Sequence, residues 1–210
     1  MKIVRWLVGL IALVPVLAWS AASAEDILVA SDAIRNPGRP FSVTVTLTEF
    51  QAGKQVDTST LVSYSRTQKA GGQFSTLIRF VLPARDAGKL MLKNGNDMWF
   101  YDPVAKASVR LSPQQRLLGQ ASNGDVATVN LARDYTAVLA ATEEVQDGER
   151  QTRKSHKLVL TAAAPEVTYA SIEMWVDEAT NRPIKARFFA ESTRLLKTAF
   201  YRKYQSQLGT

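Results

Sequence analysis

Cysteine is absent from this chain of 210 residues, and histidine occurs once. No disulfide can staple the fold, no thiol can carry a lipid anchor, and neither a Cys-based nor a His-cluster metal site can be assembled. Groups for hydrolysis are equally scarce. There is no G-x-S-x-G elbow. The one histidine, His156, lies in the alternating stretch "RKSHKLVL". Ser155 beside it would point to the other side of a strand, so the two do not form a nucleophile–base pair. Glu143-Glu144 and Asp177-Glu178 are adjacent acids next to turns and read as solvated charge. "SNGDVATVN" offers Asn123, Asp125 and Asn130 as oxygen donors. It lacks the twelve-residue spacing and closing Glu of a calcium loop, and reads as turn chemistry in which Gly124 permits a bend. The residues thus indicate a protein that is not an enzyme and that needs no cofactor or metal.

Long apolar runs are also missing, except at the start. Lys2 and Arg5 precede "WLVGLIALVPVLAW", and Ala22-Ser23-Ala24 follows as a small-residue cleavage site. Residues 1–24 are therefore expected to be a secretory signal, with Glu25 as the mature N-terminus. A membrane span needs about 20 apolar residues, and Pro15 interrupts this shorter run. Export without a disulfide framework points to a bacterial periplasm. Residues 25–210 form one domain, with no linker, repeat or low-complexity tract. The net charge of the whole chain is +7. Its basic residues are scattered through strands, which argues against nucleic acid and leaves an anionic surface or an acidic partner. The basic positions of the C-terminal stretch, Arg194, Lys197, Arg202 and Lys203, read as a solvated strand face, or alternatively as a contact for anionic headgroups.

What is present is alternation. "EDILVASDAIRN" (25–36) predicts a short helix with Ile27, Leu28, Ala30, Ala33 and Ile34 on one stripe, ended by Pro37-Gly38. In "FSVTVTLTEF", Phe41, Val43, Val45 and Leu47 share one face and Ser42, Thr44, Thr46 and Thr48 the other. "QFSTLIRFVLP" puts Phe74, Thr76, Ile78 and Phe80 together. "GKLMLKNGNDMWFYDP" is a hairpin around Asn94-Gly95. "YTAVLAATEEV" fits helix or strand, and the "DGER" turn after it favours a strand; strands continue in "SHKLVLTA", "YASIEMWVD", "IKARFFAES" and "RLLKTAFYRKYQ". The pattern predicts a mainly β protein: one curved antiparallel sheet, an incomplete or half barrel, of about nine to ten strands. Its only covers are the first helix and the irregular stretch Ser112–Tyr135, so an apolar cavity is expected beneath a loose lid. The expected cavity residues are Val43, Val45, Leu47, Phe74, Ile78, Phe80, Met91, Met98, Trp99, Met174 and Trp175. The expected lid residues are Leu117, Leu118, Val126, Val129 and Leu131.

The hairpin "NGNDMWFYDP" (Asn94–Pro103) resembles that of the LolA-type periplasmic lipoprotein carriers, and "TLTEF" (Thr46–Phe50) resembles their early strand. "RLSPQQRLLGQASNGDVATVNLARDY", "SIEMWVD", "RPIKARFF" and "LLKTAFYRKY" are similar to the LolA-like outer-membrane lipoprotein-sorting branch, and the likeness covers nearly all of residues 25–210. The resemblance implies a half-barrel with a helical lid that shields acyl chains of lipoproteins or lipids in transit to the outer membrane. It implies a monomer with acylated lipoprotein or lipid as cargo, and an inner-membrane transporter and outer-membrane acceptor as partners. The same fold would also suit a lipid-binding partner of an exporter, or a regulatory sensor. Trp99, Phe100, Tyr101 and Pro103 carry over as fold-forming hairpin positions. Arg79 is the candidate for the basic residue that such carriers place at the cavity mouth. Members of this branch continue past "LLKTAFYRKY" with further strands, so this chain is expected to be either a short member or C-terminally truncated.

Overall fold

The computed structural model describes residues 22–68 and 72–207. Of the expected signal, residues 1–21 lie outside the described part. Helix α1 (Ala24–Arg35) opens it with a capping box, in which the Ser23 hydroxyl accepts from the Asp26 N–H and the Asp26 carboxylate accepts from the Ser23 N–H. That bonding holds the Asp26 carboxyl below the usual carboxylate range. Cleavage after Ala24 would remove the Ser23 cap and leave Glu25 and Asp26 facing the helix N-terminus. The buried positions of α1 are Ile27, Leu28, Ser31 and Asp32. Ser31 and Asp32 thus sit inside where the apolar stripe placed Ala33, which is exposed. The reason is polar bonding: Asp32 accepts the Ala132 N–H at 2.9 Å and pairs with Arg35 at 2.8 Å.

Six strands then meander in order: β1 (Phe41–Gln51), β2 (Lys54–Thr67), β3 (Phe74–Leu82), β4 (Leu90–Asn94), β5 (Asp97–Asp102) and β6 (Ala107–Leu111). Every pairing is antiparallel. The β4–β5 hairpin turns at Gly95, whose φ of 61° suits a residue without Cβ. After a crossover come β9 (Tyr135–Gln146), β10 (Thr152–Ala162), β11 (Ser171–Asp177), β12 (Pro183–Phe189) and β13 (Leu195–Phe200), a second antiparallel meander of five. The single sheet expected from the alternation is therefore two sheets. The crossover is what divides them. It holds a two-stranded ladder, β7 (Arg116–Leu118) with β8 (Ala121–Ser122), a 3-10 turn at Asn123–Val126 and the one-turn helix α2 (Leu131–Asp134). Its backbone groups bond within the segment, as Gln115 N–H to the Ser112 carbonyl and Asn123 N–H to the Gln115 carbonyl, or to side chains such as Asp32, Asn36 and Gln73, and they do not continue the ladder from β6 to β9. Register shifts at Glu49/Phe50, Thr60/Leu61, Lys157/Leu158, Trp175/Val176 and Phe188/Phe189 bend the strands of both sheets.

Each sheet has its own core. Leu61, Ile78, Phe80, Met91 and Met98 pack on the inner face of the first, with Val45, Leu47, Phe100 and Leu111 beside them. The second core joins Ile27 and Leu28 of α1 to Leu131, Tyr135, Leu158, Leu160, Ile172, Met174, Val176, Ala186 and Phe188. Among the described residues no helix is long and apolar enough to cross a membrane. Leu160 is completely buried in the second core, whereas Val138 on the edge strand β9 is 64% exposed. Leu160→Ala is expected to lower stability by about 2–5 kcal/mol, and Val138→Ala to stay within about 0.5 kcal/mol. Urea midpoints at constant slope check the contrast.

Candidate functional site

A cavity of about 510 Å³ lies between the crossover and the second sheet. Its apolar wall comes from Ile172 and Met174 on β11, Phe188 on β12, Ala199 on β13, and Phe41 and Val43 on β1. The crossover roofs it with Ala121, Ala127, Val129 and Leu131. Alternation places these residues together: Ile172 and Met174 are two apart on β11, and Met174 pairs directly with Ala186 of β12.

The roof is fastened by polar contacts. The carboxylate of Asp125 accepts from Lys197 Nζ and, at 2.9 Å, from the Tyr169 hydroxyl. It also accepts the Ser122 N–H at 2.7 Å, which closes the 3-10 turn on itself. Lys197 sits over the rings of Tyr169 and Phe188, at 5.0 and 4.9 Å from their centroids. Its side chain is only 13% exposed, so the aromatic faces and one carboxylate replace much of its water. Burial pushes the Tyr169 hydroxyl well above its ordinary pKa and the Asp125 charge adds to this, so it stays a donor to the roof. Gly124 lies against the loop that leads into β11: a Cβ there would fall 2.0 Å from Thr168 Oγ1. Its φ is not positive. The glycine is required for close approach, rather than for the bend its neighbours suggested. Further along, Asn36 donates to the Val129 carbonyl at 2.9 Å, Ser65 shares a hydrogen bond of 2.7 Å with Thr128, and Gln73 donates to the Asn130 carbonyl at 2.9 Å.

Beside the roof, the inner face of the first sheet becomes polar. Lys93 is buried there and donates to the Gly95 carbonyl at 2.6 Å. Burial lowers its pKa, and the charge of Asp134 opposes that shift. Asp134 in α2 is raised, chiefly by burial, against the pull of Lys93 and a hydrogen bond from Gln73.

The expected cavity residues divide among several environments. Val43 and Met174 line the cavity. Val45, Leu47, Ile78, Phe80, Met91 and Met98 belong to the first core, and Phe74 is buried edge-on to Phe41 at 6.4 Å. Trp99 needs correction. Met98 points inward and is fully buried, so its neighbour Trp99 points outward, 44% exposed. Arg79 is corrected likewise: it lies between inward Ile78 and Phe80 and faces the outside, away from the cavity mouth. Trp175 is buried, but on the face opposite Met174. Lys157 and Lys185 cover its ring at 5.1 and 4.7 Å, and its N–H donates to Glu143 at 2.6 Å. Among the roof residues, Leu117 and Val126 pack on the first core, Val129 and Leu131 on the second, and Leu118 lies beside Glu49 near β1 instead. Alternation alone could have given Ile172 and Phe188. Lys197 was hidden because its strand reads as a solvated basic face. Ser155 donates to the carbonyl of Arg153, two residues back, while His156 meets Thr142 on the neighbouring strand β9.

Two antiparallel meanders joined by a roof over an apolar cavity define the class: a mainly β protein whose two sheets share one crossover. The chain belongs to the LolA superfamily. It is 33% identical to a LolA superfamily protein from Nitrosomonas europaea, with 90% of this chain and 81% of that one covered at a TM-score of 0.78. A DUF1329 family protein from Desulfovibrio piger is 25% identical, with 89% and 80% covered at a TM-score of 0.72. A Vibrio parahaemolyticus domain described as an outer membrane lipoprotein-sorting protein shares the fold at a TM-score of 0.70, with 19% identity over 88% and 79% of the two chains. A family model with the description "Uncharacterized protein" matches residues 72–210. No curated protein matches the chain.

Asp125→Ala is expected to release Lys197 and the Tyr169 hydroxyl, raising amide exchange at least tenfold across residues 121–131 while β10 and β11 stay protected. Hydrogen-exchange mass spectrometry reads this directly. Asp134 has a pH signature. Its folded carboxyl keeps a proton above the ordinary value of about 3.9, so the folded state binds more protons in that window and stability falls as pH rises through it. Asp134→Asn removes this loss. Its stability relative to the wild type should climb from about pH 4 upward and level off once Asp134 is ionised, as measured by urea midpoints across pH.

Proposed function

We propose that the protein is a periplasmic carrier that shields the acyl chains of lipoproteins or lipids in its cavity during transit to the outer membrane. The observation that carries this reading is the double role of Ala127, which is both cavity wall and part of the first core. The roof is thus a partition. Moving it would join the cavity to the inner face of the first sheet, where Leu61, Ile78, Phe80, Met91 and Met98 form the apolar floor. The empty cavity falls within the range of about 300–1,000 Å³ typical of small-ligand sites, and displacement of the roof would enlarge it.

The energetics suit loading and release. Burial of one CH₂ is worth about 0.8 kcal/mol, so a sixteen-carbon chain gains on the order of 10 kcal/mol. Breaking the Asp125–Lys197–Tyr169 contacts and lifting Val126 and Ala127 off their core offset part of that gain, which keeps the cargo releasable. The outer-membrane lipoprotein-sorting description of the Vibrio protein, together with the LolA superfamily, supports the reading. An inner-membrane donor and an outer-membrane acceptor follow from a transit role.

Native mass spectrometry of protein released from the periplasm without detergent should show a bound lipid or acylated peptide. Asp125→Ala, with its roof loosened, should exchange that cargo for added fatty acyl probe faster than the wild type. A protein that emerges empty and takes up no acyl probe, in either form, is not a carrier.

A further inference from the structure

The outer face of the six-stranded sheet is polar on β1, where Ser42, Thr44, Thr46 and Thr48 point out. It changes character across β2 to β5. Tyr64, Leu77, Leu92 and Trp99 are directly paired neighbours in one row, exposed by 46%, 39%, 43% and 44%. The row ends on Arg110, which pairs with Trp99. In the adjoining row Arg79 stands between Val62 and Leu90, and Leu90 pairs with the exposed Tyr101. A groove of about 560 Å³ runs beside the stripe, lined by Tyr64, Arg66, Leu77 and Leu92. On its other side the stripe adjoins the row of Arg66, Ser75, Asn94 and Asp97, so the charged side chains of the three rows are Arg66, Arg79, Arg110 and Asp97, and Asp97 is bound to Arg110 at 2.5 Å. Neither the cavity nor its roof uses the stripe.

An outward sheet face in water is ordinarily filled with polar residues. The second sheet shows how this chain protects a large aromatic: Trp175 lies under two lysines and bonds a glutamate. Among the described residues no lysine covers the Trp99 ring as Lys157 and Lys185 cover that of Trp175. Trp and Tyr combine an apolar body with a polar tip and favour the headgroup level of a bilayer. Arginine binds phosphate through a planar fork. Here three arginines stand at the ends and in the middle of an apolar band four strands wide, with one acid among them. A protein hot spot concentrates its anchors in a desolvated pocket behind a polar rim. The observed band suits a laterally extended partner of alternating anionic and apolar character.

We propose that this face docks on an anionic phospholipid surface. Tyr64, Leu77, Leu92, Trp99 and Tyr101 enter the headgroup layer, and Arg66, Arg79 and Arg110 contact lipid phosphates. The surface is independent of what the cavity carries.

Co-sedimentation of the purified protein with vesicles tests it. Vesicles of phosphatidylethanolamine with about one third phosphatidylglycerol should retain the protein at least tenfold better than pure phosphatidylcholine, and 0.5 M salt should remove most of the difference, as screening requires. Leu92→Thr with Trp99→Thr, and separately Arg79→Glu, should each reduce retention at least fivefold, with circular dichroism and melting unchanged. Brominated lipid should quench the wild-type fluorescence more than that of Trp99→Thr. Equal retention on both vesicle types, or retention and quenching indifferent to these substitutions, overturns the proposal. So does a wild-type protein that ignores vesicles but loses crosslinks to an envelope protein when the stripe is changed, which would make this face a protein site.

Discussion

One carboxylate ties the 3-10 turn of the crossover to the second sheet. Asp125 meets a lysine from the last strand, a tyrosine hydroxyl from the approach to β11 and the backbone of its own turn. Lys197 has little water around it, so its charge depends on that carboxylate and on the two aromatic faces beneath. Removal of the carboxylate leaves a largely buried cation unpaired, a far worse state than an exposed one. The cavity roof at the 3-10 turn and the cover of the first core depend on this contact, while α2 is held separately by Asp32 and Gln73. It is polar and involves few groups, which lets it break and reform while the strand pairings of both sheets stay intact.

Much of the fold was legible because period-two patterning is a direct consequence of strand geometry. Phe74, Thr76, Ile78 and Phe80 share the inner face of β3 as their spacing requires. The helix at 24–35 and the hairpin at Gly95 were also plain. The division into two sheets was not. Alternation reports which way a side chain points and says nothing about which strand lies alongside. The site was legible only in outline. Assigning both Met98 and Trp99, or both Met174 and Trp175, to one cavity conflicts with alternation. The structure resolves each pair by sending the methionine inward. Lys197 reads from the sequence as part of a solvated basic face, because a lysine in an alternating strand ordinarily is one. Its partner lies 72 residues away in sequence, on a loop whose own chemistry looks complete.

The two tryptophans show how the same residue serves different ends. Trp175 is sheltered on the outside of the second sheet by Lys157 and Lys185, with Glu173 balancing Lys157 and Arg187 nearby. That face is a charge lattice built over an aromatic, and it presents water with ammonium and carboxylate groups. Trp99 lies on a face whose neighbours are leucines and tyrosines. This chain therefore has two outer sheet surfaces of opposite character, one finished for solvent and the other left apolar between arginines.

The crossover also enters both cores. Val126 and Ala127 belong to the first and Leu131 to the second, within a stretch of six residues. A core that borrows residues from a segment anchored in its neighbour cannot melt alone without pulling on that anchor. The empty protein is thus expected to lose both sheets in a single transition. A molecule that took the place of Val126 and Ala127 would complete the first core from outside and free the segment from that duty. The two sheets would then be thermodynamically separable, so occupancy would show in the cooperativity of unfolding as well as in its midpoint.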